Sequence, residues 1–178
     1  MAPKRIMFIR HAEKPGEPTD DKGVAFDGTP DDACLTVLGW QRAGALAKFF
    51  SAPPLRPNVV FAAGEHSGKR KRPTDTVTPL VDLLNASGSV GFIKNHLKDD
   101  LQPLIDVVMS RTGTVLVAWE HKRIPDLIGL LPDPPHVPRR WPDNRFDLVW
   151  ILDHAARGWT FSQLPQLLLA GDRSTPIS

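Results

Sequence analysis

Apolar residues fall along this chain in two alternating kinds of run. Short unbroken runs bounded by charged or turn residues occur at Arg5–Ile9, Val59–Ala63, Val90–Ile93 and Thr114–Trp119. That is the pattern of strands buried on both faces. Between them, apolar residues recur at helical spacing. Thr36–Phe50 can place Leu38, Ala45, Leu46 and Phe49 on one face, with Thr36 as N-cap. Pro73–Leu84 carries Val77, Leu80, Val81 and Leu84, and Asp99–Met109 carries Leu101, Leu104, Ile105 and Val108. Ile124–Leu131 is a shorter helix, with Pro125 near its start, where proline is tolerated. Two last runs, Leu148–Leu152 and Thr160–Leu168, flank a turn at Arg157–Gly158 and predict a hairpin. Strands that alternate with helices predict one α/β domain over residues 1–178. Its architecture is a three-layer α/β/α sandwich with a mostly parallel central sheet and an antiparallel edge strand.

Composition narrows the class. With 41% apolar and 24% charged residues the chain can build a globular core. The balance of 22 basic to 20 acidic residues is too even to predict nucleic-acid binding. Lys69–Arg72 is a local basic run, but no aromatic residue is interleaved there to stack bases. The apolar run Ile6–Ile9 is too short for a membrane span or a signal-peptide core. Cys34 is the single cysteine, so no intrachain disulfide forms and a reducing, cytoplasmic setting is expected. The sequence leaves the oligomeric state open.

In open α/β sheets ligands bind beyond the carboxyl ends of the strands. Arg10 and His11 follow the first predicted strand, and Glu120 and His121 follow Thr114–Trp119. A loop with His66, Lys69, Arg70, Lys71 and Arg72 follows Val59–Ala63 and leads into a helix. Two imidazoles, several cations and a helix start at one sheet edge have the composition of a phosphate site. Guanidinium forks match phosphate oxygens in pairs, and helix starts add backbone donors. Other chemistries fail on spacing. Gly64–Arg70 has Ala63 where a P-loop needs its first glycine, and Arg70 where it needs Ser or Thr. The sequence contains no HExxH, no paired CxxC and no GxSxG, so neither a dedicated metal nor a Ser or Cys nucleophile is expected.

Arg10-His11-Ala12-Glu13-Lys14 resembles the RHG/RHA signature of the histidine phosphatase superfamily, which includes the cofactor-dependent phosphoglycerate mutases. Leu35–Ala43 resembles that family's "LT…G…QA" helix start. Arg72-Pro73-Thr74-Asp75-Thr76 resembles the segment that supplies its second arginine, and Val115–His121 the strand that ends in its second histidine. The resemblance implies a phosphatase acting on a phosphorylated small molecule or a phosphoprotein. His11 becomes phosphorylated, while Arg10, Arg72 and His121 hold the phosphoryl oxygens. No cofactor is implied. Glu120 is the preferred general acid, with Glu13 the alternative. Glu13, Lys14 and Lys69 are expected at the substrate. A mutase-type phosphotransferase and a phospholigand-binding protein without turnover are the rival readings.

Overall fold

The computed structural model describes residues 2–16, 21–65 and 71–178. Successive side chains of a strand point to opposite faces, which decides which side of the sheet each residue meets. In β1 (Arg5–Arg10), Ile6 and Phe8 enter one core while Met7 and Ile9 enter the other. β2 (Val59–Ala62) and β4 (Thr114–Trp119) divide in the same way: Val59, Phe61, Val115, Val117 and Trp119 face one side, and Val60, Ala62, Leu116 and Ala118 the other. A strand apolar on both faces needs cover on both faces.

The helices supply it. α1 (Val37–Phe49) and α2 (Arg72–Asn85) close one side through Leu46, Ala47, Val77, Leu80, Val81 and Leu84. The other side is closed by α3 (Leu101–Met109) and α4 (Ile124–Gly129) through Leu104, Ile105, Val108, Ile124, Leu127 and Ile128. The three layers follow from this division.

With β3 (Gly91–Ile93), β5 (Leu148–Ala155) and β6 (Gly158–Pro165), the sheet has the order β3-β2-β4-β1-β5-β6. β3, β2, β4 and β1 are parallel. β5 runs antiparallel to both β1 and β6, so the C-terminal hairpin forms one margin of the sheet. Among the described residues no helix is long and apolar enough to cross a membrane.

One expectation for α1 fails. Its buried residues are Gly39, Arg42, Ala43, Leu46 and Ala47, whereas Leu38 is exposed and Ala45 half-buried. The helix presses on the loop after β1 so closely that a Cβ on Gly39 would lie 2.4 Å from the Glu13 carbonyl oxygen. Close approach selects glycine there and turns the buried stripe away from Leu38.

Candidate active site

Arg10 pairs with Trp119 across the adjacent parallel strands β1 and β4, so His11 and Glu120 emerge side by side at their carboxyl ends. The helices that follow these two strands pack on opposite faces of the sheet. A crevice opens where neighbouring connections diverge in this way. The loop carrying His11 is held from three directions. The His11 amide donates to the Trp119 carbonyl (3.2 Å), the Ala12 amide to Thr76 Oγ1 (2.8 Å), and the Thr36 amide to the Glu13 carbonyl (3.1 Å). Thr36 also caps α1 by accepting from the Gly39 amide at 3.1 Å.

His11 is buried, and its Nδ1 lies 2.8 Å from the Ala12 carbonyl oxygen. A carbonyl only accepts, so Nδ1 carries the hydrogen and Nε2 the lone pair. Burial, then the Arg10 charge, push the His11 pKa down to about 3. The ring is therefore neutral near pH 7, with a nucleophilic Nε2.

Arg10 is wholly buried beside it. Its Nη1 donates to the carbonyls of Asp143 and Arg145, and its guanidinium carbon lies 3.6 Å from the centre of the Phe146 ring. Burial pushes its pKa down to about 10, against Asp143, Glu13 and Glu120, so it stays cationic at neutral pH. His121 begins a short 3₁₀ turn after β4 and is also buried, with Nε2 2.6 Å from Asp143 Oδ1. Arg10 Nε and His121 Nδ1 are both buried with no hydrogen-bond partner among the described residues. Each such atom costs about 1–3 kcal/mol unless something outside the protein meets it.

Arg72 opens α2, donating from Nε to the Cys34 carbonyl (3.3 Å) and from Nη2 to the Asp32 carbonyl (2.7 Å). Arg10, His11, Arg72, Glu120 and His121 line one cleft of about 1070 Å³, together with Glu13 and Lys14. Lys98 Nζ lies 3.4 Å from Glu120. The Glu13 carboxylate is engaged elsewhere, accepting from Arg42 Nε at 2.8 and 3.1 Å. Lys69 and His66 lie outside the described residues. Among the described residues no three His, Cys, Asp or Glu side chains gather as a metal site.

Solved structures share this fold. A candidate phosphohistidine phosphatase SixA from Agrobacterium tumefaciens is 20% identical over 91% of this chain and 98% of its own, with a TM-score of 0.53. The protein histidine phosphatase SixA complexed with tungstate is 15% identical over 91% and 97%, with a TM-score of 0.51. A mutant phosphoserine phosphatase from Entamoeba histolytica in complex with phosphoserine is 14% identical over 93% and 98%, with a TM-score of 0.55. The chain has the histidine phosphatase fold. No protein-family model and no curated protein matches the sequence.

Within that fold the structure adds residues that the sequence did not single out. Asp143, Asn144 and Phe146 form a strap over Arg10 and His121, drawn from the Pro- and Arg-rich loop before β5. Thr76 fixes the backbone next to His11. Arg42, on α1, ties Glu13 to Asp172 and Gln166. For Thr76 a signal existed in its place four residues after Arg72, one helical turn on. Asp143 and Arg42 carry none, because each meets its partner only through the folded chain.

Proposed function

We propose that this chain is a phosphatase that hydrolyses a phosphomonoester or a phosphorylated protein through a phosphohistidine on His11 Nε2. One observation carries the reading. A neutral imidazole with its lone pair fixed on Nε2 lies beside two buried polar atoms, Arg10 Nε and His121 Nδ1, that no group among the described residues satisfies. Phosphoryl transfer needs positioning and stabilised oxygens more than covalent help from the protein. Arg10 and Arg72 supply planar cations, His121 a third contact, and Nε2 the electron pair. The named proteins that share the fold are phosphatases, which accords with this chemistry.

Glu120 is our choice of proton donor to the leaving group, because Glu13 is held by Arg42. Lys14, and Lys69 from its place in the sequence, supply charge for the rest of the substrate. Arginine neutralises the phosphoryl charge, so activity should survive exhaustive chelation. A single unpaired thiol suits a cytoplasmic setting.

The test is to trap the intermediate. An imidazole–phosphorus bond survives alkali and is lost in acid, whereas a serine phosphate behaves the opposite way. Rapid quench of labelled substrate into alkali should leave label on the wild type and none on His11→Ala. A protein that binds tightly but never acquires label is a phospholigand-binding protein, and the phosphatase reading then fails.

A further inference from the structure

His121 has two ring nitrogens, and a protein group already occupies one. Asp143 Oδ1 lies 2.6 Å from Nε2. The hydrogen bond from His121 holds the Asp143 pKa below its usual value, so at neutral pH the carboxylate can only accept. The hydrogen therefore sits on Nε2. Nδ1 is the atom left to meet a ligand, and it is buried with no partner among the described residues. In the neutral ring Nδ1 is a lone pair. A phosphoryl dianion also offers only lone pairs, so the two repel until Nδ1 carries a hydrogen.

We propose that His121 accepts a phosphoryl dianion only as the imidazolium, so that Asp143 couples anion binding at this site to the uptake of one proton. This inference rests on the phosphoryl-binding reading above. The charges around the ring fit it. Arg10 at the end of β1 and Lys122 on the same turn disfavour the imidazolium, and Asp143 on the strap favours it. His11, also facing the site, is neutral. Burial and Arg10 together keep the His121 pKa below the ordinary imidazole value before binding. The proton thus arrives with the anion. A dianion beside Arg10 cancels the opposing charge and leaves an imidazolium between two negative groups. By linkage, affinity then falls as pH rises.

Tungstate tests this, because it is a dianion with no proton of its own titrating near neutrality. Titration calorimetry of the full chain at pH 7.5, in buffers of different ionisation enthalpy, counts the protons taken up. We expect close to one per tungstate, and a Kd that weakens about tenfold from pH 7.5 to 8.5. In Asp143→Asn the amide can donate to Nε2, which moves the ring hydrogen to Nδ1. Tungstate should still bind that variant, with uptake near zero and a flat pH profile. Mere loss of support would weaken binding without changing the proton count. His11→Gln should keep the uptake; its disappearance there would assign the proton to His11 and overturn the proposal. Wild-type binding without uptake overturns the proposal and leaves the phosphatase reading standing, and it needs no variant to fold. Absence of tungstate binding overturns both.

Discussion

Arg10 and Arg42 are both almost completely buried, at 1% and 3% exposure, and both sit within reach of the loop that carries His11. Their surroundings differ. Arg42 gives Nε to Glu13, Nη1 to Gln166 and Asp172, and Nη2 to Asp172. Burial opposes its charge, but the bonds to Asp172 and Glu13 outweigh burial and its pKa rises. Arg10 has carbonyls and an aromatic face, its Nε is unmatched among the described residues, and burial wins. A guanidinium that the protein satisfies completely joins parts of the fold. One buried and left with a free donor is set to grip something that arrives. On the proposed reading, the cost of the second, roughly 1–3 kcal/mol, is met by the ligand.

The contrast can be broken experimentally, and the proposed nucleophile beside Arg10, His11, gives the largest effect. His11→Ala should lower phosphate release on the order of 10⁴-fold or more while far-UV circular dichroism stays unchanged. A folded variant with wild-type turnover would remove the nucleophile.

The two arginines come next. Arg10→Leu should lower kcat/KM by about 10²–10³-fold with little change in the urea midpoint, since no carboxylate loses its partner. Arg10→Lys should rescue poorly, because a point charge cannot form the fork. Arg42→Leu should do the reverse. It strands Glu13 and Asp172, whose side chains are 14% and 4% exposed, and should cost about 3–5 kcal/mol of stability. If instead Arg10→Leu unfolds the protein and Arg42→Leu impairs only turnover, the division of labour is wrong.

A smaller effect appears in stability against pH. The native His11 pKa is depressed to about 3, while the unfolded chain binds a proton near the ordinary 6.5. The unfolded state therefore holds more protons between these values, and stability drops as pH falls below 6.5. At pH 5 the loss from His11 is about 2 kcal/mol relative to pH 8. Urea titrations of the wild type and His11→Gln should diverge by that amount at pH 5 and converge at pH 8; parallel curves would mean that His11 titrates normally.

A change of comparable size is expected for Glu120→Gln. It should slow alkyl phosphates by about 10²-fold, and aryl phosphates, whose leaving groups need less help, much less. Equal losses on both would make Glu120 structural, through its contact with Lys98.

Much of this molecule was legible in its residue order. Two-residue alternation in the apolar runs set the faces of β1, β2 and β4. Once strands alternate with helices, the residues just past each strand must lie at one edge of the sheet. Arg10, His11, Glu120 and His121 were therefore readable together, and the structure does bring them into one cleft with Arg72. The face of α1 was not readable, because a buried arginine and a glycine chosen for close approach interrupt the apolar stripe. Glu13, two residues past His11, lines the cleft, and only the folded chain shows that its carboxylate accepts from Arg42. Residue types and spacing specify local periodicity and strand-end placement, because these depend on neighbours within a few positions. The partners of single polar groups were decided only by tertiary structure. Asp143 lies 22 positions from His121, and Asp172 lies 130 from Arg42. No period links such pairs, and only the packing of the strap and the C-terminal segment determines which carboxylate each cation or imidazole meets.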